Sequence, residues 1–343
     1  MLFKYDFQRV ASEMKMRKRF LVLMAAVLLI LGCREKAERL YTLGIFQIID
    51  APTLNETRTG LIQALNDNGL QQGVNINLEI RNAMGDFVEA QRIAQEFVGE
   101  KADMIVALST PCLQAALMAT PKIPIIFASV ANPHLLGVGR SAENHLANVT
   151  GVASTGPVKQ ALAFIKGVLP SARRIGTLWT PSELNSEYYL QVAREGAAEL
   201  GLEIIAVPVA NANEVWLSAQ MLLNKKIDVI FPISDNTINA SFESIGRVAE
   251  DNGVPLFGGF LLSTRLGACA ALGWDFYEMG YKTGDIIIRV KNGEQPGGIP
   301  LQSMSRIRLH LNLEAAAKQG VQFAAETIQR ADEVIRGGEP PEK

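Results

Sequence analysis

The chain has 343 residues, 33 of them Lys or Arg and 35 Asp or Glu, with 48% hydrophobic and 20% charged side chains. That balance is ordinary for a folded protein and excludes wholesale disorder, a collagen-like repeat and a fibre. The net charge of −2 offers no basic footprint for nucleic acid, and three cysteines do not make a disulfide scaffold. The length suits two domains of roughly 100–200 residues, each able to bury a core without staples.

The N-terminal segment departs from this average. Residues 1–20 carry six basic side chains, four of them Lys15, Arg17, Lys18 and Arg19. An apolar run from Phe20 to Leu31 follows, too short for a membrane span of about 20 residues. A basic region, a short apolar stretch and a small residue before a cut describe an export signal. Ile30-Leu31-Gly32-Cys33 is similar to the lipobox of bacterial lipoproteins, which implies cleavage before Cys33 and lipid on that residue. Residues 1–32 are then a signal peptide, with Met14 or Met16 as alternative starts. The remaining 27 basic and 33 acidic residues make a mildly acidic exported body, held to a membrane by buried methylenes.

The body reads as one plan used twice. Thr42–Ile49 is a short apolar run ending at the turn Asp50-Ala51-Pro52. The spacing of Leu61, Ile62 and Leu65 predicts a helix over 55–68, stopped by Gly69. Asn75–Ile80 alternates like a strand, Val88–Val98 is helical, Met104–Leu108 is a strand, and Ser109-Thr110-Pro111 opens another helix. Ile123–Ala128 is the next strand. The second half repeats this order. It has a strand at Arg174–Trp179, a helix to about Leu200, a strand at Glu203–Val207, a helix at Glu214–Leu223, a strand at Asp228–Pro232 and another at Val254–Gly258. Asp103 before one strand matches Asp228 before the other, and Gly44 matches Gly176. Strands alternating with helices give parallel sheets covered on both faces.

The predicted fold class is therefore α/β, with two doubly wound Rossmann-like lobes. In such sheets ligands bind beyond the carboxyl ends of the strands. The loops at 50–54, 109–112, 129–133, 180–186, 233–237 and 258–262 lie there and line one cleft if the lobes face each other. Helices starting at Pro111 and near Thr237 would aim free N–H groups into it, which suits a carboxylate.

Several segments carry a family likeness: Ile48-Ile49-Asp50-Ala51-Pro52, Ser109-Thr110-Pro111-Cys112-Leu113-Gln114, Pro124-Ile125-Ile126-Phe127 and Asn148-Val149-Thr150-Gly151-Val152. Ser182-Glu183-Leu184-Asn185-Ser186, Ser234-Asp235-Asn236-Thr237 and Gly273-Trp274-Asp275-Phe276-Tyr277-Glu278-Met279-Gly280 continue the series. In order and spacing, from about Leu43 to Ile335, the chain resembles the tryptophan/aromatic amino acid-binding group of bacterial ABC-transporter substrate-binding proteins, with the type I periplasmic-binding fold. It departs from that group at Ala131-Asn132-Pro133, where members commonly carry Thr-Asp-Pro, and at Gly258-Gly259-Phe260, where Ser-Asp-Glu is frequent.

The resemblance implies lobes joined by hinge crossings near Gly151, Asp275 and Leu301. Lobe 1 then takes 41–150 and about 276–300, lobe 2 takes 151–275 and about 301–335, and 336–343 is a frayed tail. Residues 313–335 read as helices packed back on the lobes. The expected ligand contacts are Asp50, Ser109, Thr110, Gln114, Ser129, Asn132, Asn185, Ser186, Asp235, Asn236, Phe260 and Asp275. Ser109 and Thr110 would hold a carboxylate, although each is also an ordinary N-cap. Asp235 would accept from an ammonium or cap the next helix, and Asp275 either faces the ligand or sits at a crossing.

Catalysis is not expected. Ser234-Asp235-Asn236 and Lys282-Thr283-Gly284 copy two motifs of penicillin-recognising enzymes, but no Ser-x-x-Lys nucleophile occurs after Cys33. His134, His145 and His310 have no metal-ligand spacing and read as surface residues. Neither cofactor nor metal is called for. The expected partners are an amino acid-like small molecule, an ABC permease and ATPase, and a membrane through the lipid anchor, with no nucleic acid and a monomeric body. A ligand-sensing module serving a separate membrane signalling partner is the alternative.

Overall fold

The computed structural model describes residues 39–337 together with Met14, Met16, Arg17 and Phe20. The remainder of the expected signal peptide, Cys33 and the last six residues of the tail lie outside the described residues. The chain divides into Met1–Leu40 and Tyr41–Lys343, and the second unit carries the fold. No helix among the described residues is long and apolar enough to cross a membrane.

The first sheet is built from β1 (Tyr41–Gln47), β2 (Ile76–Asn82), β3 (Met104–Leu108), β4 (Ile125–Val130) and β5 (Val149–Ala153). They run parallel in the order β2-β1-β3-β4-β5, and a two-residue β11 (Gln302–Ser303) extends the β5 edge. Helices α1 (Pro52–Asp67), α2 (Phe87–Gly99) and α3 (Thr110–Ala119) make the crossovers. Every residue of β3 and β5 is buried, as both-face coverage requires.

The second lobe repeats the order. β6 (Arg174–Trp179) lies between β7 (Glu203–Pro208) and β8 (Val229–Ile230), with α4 (Val158–Val168), α5 (Leu184–Glu199) and α6 (Val215–Leu223) around them. After the short α7 (Asn236–Ala240) and α8 (Phe242–Asn252) come β9 (Phe257–Gly258) and β10 (Ala270–Gly273). One parallel bridge, Ile230 to Leu256, joins the two groups of strands.

The likeness of the halves has a physical basis at equivalent positions. Asp228 accepts from the Arg173 and Arg174 N–H groups at 2.7 and 2.8 Å, as Asp103 accepts from Thr42 N–H at 2.7 Å. Each carboxylate pins the start of the lobe's first strand, β1 or β6. A Cβ on Gly44 would lie 2.5 Å from the Phe97 ring, and one on Gly176 would lie 2.6 Å from Ile227. The first strand of each lobe thus carries a glycine so that a bulky side chain can press onto the sheet.

The chain leaves the first sheet after Ala153 and returns through α9 (Phe276–Lys291), which packs along α1. Glycines make that contact close: a Cβ on Gly60 would sit 2.0 Å from Tyr277 O, and one on Gly280 would sit 1.9 Å from Thr57 O. The crossings are tied together. Trp274 Nε1 donates to Thr155 O at 3.0 Å, and Tyr189 Oη donates to Ser154 O at 2.6 Å. Arg308 pairs with Asp275 at 3.2 Å and with Glu278 at 2.9 Å.

The C-terminal tail differs from expectation. Only Leu313–Lys318 (α10) and Ala325–Arg330 (α11) are helical. The segment ends in β13 (Glu333–Ile335), paired with β12 (Arg308–Asn312), which runs antiparallel to β10. β12 supplies an edge that β13 can join, and that pairing is invisible in local periodicity. His310, expected at the surface, is half-buried, with Nδ1 2.9 Å from Glu333. Cys112 and Cys269 are buried free thiols.

Candidate functional site

Two spaces separate the lobes at the carboxyl ends of the strands. The inner one is a polar cavity of about 20 Å³. Thr53, Leu54, Ser129, Ala131 and Ser154 wall it from the first lobe, and Asn185, Tyr189, Ser234, Asp235, Asn236 and Asn239 from the second, with Phe276 at the crossing. The outer one is a cleft of about 780 Å³. Ile48, Ile49, Met84, Phe87, Thr110 and Gln114 face Ser182, Glu183, Leu184, Asn213 and Thr237 across it.

Between the two spaces stands a buried acidic pair. Asp235 caps α7 by accepting from Ile238 N–H at 2.8 Å, and it also accepts from Thr180 N–H and Oγ1 at 3.1 Å each. Glu183 accepts from Asn236 Nδ2 at 2.6 Å, from Thr237 N–H and Oγ1 at 3.1 and 2.7 Å, and from Asn185 Nδ2 at 2.9 Å. No ion pair among the described residues involves either carboxylate. Burial first, and then the charge of Glu183, push the Asp235 carboxyl up to about 7, against the pull of its hydrogen bonds from Ser186, Ile238 and Thr180.

Asn185 completes this wall. Its Nδ2 is held by Glu183, which fixes the amide so that Oδ1 faces away from the carboxylate. That oxygen is buried and has no partner, although Asn185 lines the inner cavity. An orphaned buried acceptor beside a carboxyl pair that has hydrogen-bond donors but no cation offers a place to a donor from outside the chain. From the other lobe, Ser129 reaches the same cavity with a left-handed backbone (φ 56°), its Oγ 2.9 Å from Thr57 Oγ1. A serine in that conformation is strained, as residues at functional sites often are.

The expected contacts separate into groups. Ser129, Asn185, Asp235 and Asn236 meet at the inner cavity, while Thr110 and Gln114 line the outer cleft. Ser186 stands behind the site, its Oγ accepting from Thr180 N–H at 2.8 Å. The other expected contacts line neither space. Ser109 caps α3 by accepting from Cys112 N–H, Asn132 accepts from His134 N–H, and Asp275 accepts from Glu278 N–H at the crossing. Asp50 is exposed and accepts from Asn55 Nδ2. Phe260 is buried edge-on against Phe242, with ring centroids 5.0 Å apart.

One inference from the sequence needs correction. The N–H groups that open α7 are not free for a ligand, because Glu183 and Asp235 take those of Asn236, Thr237 and Ile238. Thr53, Leu54 and Glu183 lie in loops expected at the cleft but are not among the expected contacts, and Ser154, Tyr189 and Phe276 lie outside those loops. Glu183 sits inside a recognised segment, but its acceptance from residues more than 50 positions away leaves no local signal. Tyr189 and Phe276 supply the aromatic residues of the inner cavity.

Known proteins resemble this chain in sequence and fold. A sequence model of a family described as ABC transporter substrate binding protein matches residues 42–335. The chain is similar to the Tyrosine-binding protein of Clostridioides difficile (strain R20291), 33% identical over 270 residues that cover 79% of this chain and 78% of the relative. It is similar in fold to the ABC domain in complex with L-Trp from Streptococcus pneumonia, with a TM-score of 0.82 at 24% identity over 87% of this chain and all of that one. A ligand-free, open substrate-binding protein with adhesive properties from Clostridium difficile superposes with a TM-score of 0.63 at 30% identity, over 86% of this chain and 99% of that one.

Proposed function

The chain belongs to the ABC transporter substrate-binding protein family, and from that premise we propose that it captures an aromatic L-α-amino acid between its lobes and hands it to a permease. It is a solute-binding protein, not an enzyme. The chemistry is binding coupled to hinge closure about the three crossings. The observation that carries the amino acid reading is the unpaired Asn185 Oδ1 beside the buried Asp235–Glu183 pair. A ligand ammonium donates to Asn185 and supplies the cation that both carboxylates lack. Tyr189 and Phe276 offer ring faces to an aromatic side chain.

Closure follows from size. A cavity of about 20 Å³ holds one or two waters, so the lobes must stand further apart than they do here both to admit an amino acid and to hold it. The better superposition on the L-Trp complex than on the open, ligand-free relative supports reading this arrangement as the closed one. Thr110 and Gln114, in the outer cleft, line the way in. Export by the 1–32 signal and anchorage through lipid on Cys33 complete the proposal and keep the receptor beside its permease.

The test is isothermal titration of the full-length chain in detergent with L-tyrosine, L-tryptophan and L-phenylalanine, alongside sugars and purines. Saturable binding of one or more aromatic amino acids, weakened at least tenfold by Asp235→Ala, is the expected result. A folded protein that binds a sugar or purine and no amino acid overturns the reading.

A further inference from the structure

We propose that the ligand's α-carboxylate sits on the free N-terminus of α1, at the Thr53 and Leu54 N–H groups, so that the zwitterion is gripped from both lobes at once. The inference rests on the amino acid reading above and assigns the half of the ligand that Asn185 and Asp235 leave unbound.

Helix α1 runs for 16 residues from Pro52, and its N-cap, Ala51, is extended and has no side chain to accept a hydrogen bond. Pro52 has no N–H, and the Asn55 N–H is taken by Ala51 O at 2.9 Å. Thr53 and Leu54 are therefore the two free backbone donors of the first turn. Both residues line the inner cavity. The other helix ends considered for a carboxylate are already occupied. Ser109 caps α3, and Asp235 and Glu183 cap α7.

The unpartnered Asn185 Oδ1 on the facing wall is the independent sign that a ligand belongs here. It asks for a donor, as the carboxylate pair asks for a cation. No Lys or Arg lines the cavity, so a carboxylate attached to that cation is met by N–H groups and hydroxyls alone. An uncapped helix start with a positive dipole end is the strongest such group present. Ammonium on the second lobe and carboxylate on the first make closure depend on a ligand that carries both.

Ala51→Ser tests this directly. The serine hydroxyl caps Thr53 and Leu54 within the chain and competes with the ligand carboxylate, while the melting temperature stays at or above that of the wild type. Binding of L-tryptophan and L-tyrosine is compared with that of tryptamine and tyramine, which keep the ring and ammonium and lack the carboxylate. The expected result is a wild type that prefers the amino acids over the amines by tenfold or more. In Ala51→Ser that preference falls about tenfold because amino acid affinity drops and amine affinity does not. An unchanged preference in Ala51→Ser, or its collapse in Ser109→Ala instead, overturns the placement and leaves the amino acid reading standing. Should Ala51→Ser fail to fold, equal wild-type affinity for amino acid and amine also overturns the placement. A wild type that binds none of the amino acids overturns both readings.

Discussion

Replacing Asp235 by Asn changes how stability depends on pH, and the size of the change follows from the structure. The unfolded carboxyl ionises near 3.8, while burial and Glu183 hold it protonated up to about 7 in the folded chain. Between those values the folded state binds more protons, so stability falls as pH rises and levels off above about 7. Over that window the group's contribution comes to about 4 kcal/mol, on the scale of 1.36 kcal/mol for each tenfold step in proton affinity. Asparagine carries no such dependence. It keeps the cap on Ile238 N–H but turns a donor toward Thr180 N–H, which costs a roughly constant 1–3 kcal/mol. Carboxylates held low by their partners, such as Asp228 and Asp332, stabilise as pH rises, but they are present in both proteins and cancel in the difference. Urea unfolding of ligand-free wild type and Asp235→Asn at pH 4.5, 6 and 8 measures the effect. The variant is expected to be less stable at pH 4.5 and to gain on the wild type by several kcal/mol at pH 8. Parallel profiles would show that Asp235 does not hold a proton in the fold.

The same carboxyl predicts proton release on binding. An ammonium ligand needs Asp235 ionised, so titrations at pH 6 in buffers of different ionisation heat should show nearly one proton released, and at pH 8 almost none. Gly280→Ala drives a methyl group to 1.9 Å from the Thr57 carbonyl, which cannot swing aside; a loss of about 1–3 kcal/mol is expected in thermal unfolding, and an unchanged melting temperature would show that α1 and α9 part without cost. Burial pushes the Cys112 and Cys269 thiols up to about 12, so neither should react with DTNB at pH 8 until urea unfolds the protein. Rapid labelling of either thiol in the folded state would contradict their burial.

Local chemistry was enough to read much of this protein. The order of strands and helices, the pairing of Gly44 with Gly176 and of Asp103 with Asp228, and the position of the loops beyond the strand ends all follow from period, turn residues and repetition. These signals are local because a parallel strand covered on both faces must be apolar throughout and must end where the chain turns. Of the expected residues that line the two spaces, Thr110, Asn185, Asp235 and Asn236 stand at the opening of a helix that follows a strand, Ser129 at the end of β4 and Gln114 one turn into α3.

What the tertiary structure decided is which of these groups remain free. A serine before a helix reads alike whether it caps or binds, and only the structure shows Ser109 spent on Cys112 while Ala51 leaves α1 open. Glu183 gains its meaning from residues more than 50 positions away, and the orphaned oxygen of Asn185 exists only because Glu183 holds the other end of the amide. The closing strand pair β12–β13 depends likewise on a distant partner. Sequence determined where the polar groups stand along the chain. Folding determined which of them satisfy one another, because a hydrogen bond is spent or free only with respect to neighbours in space.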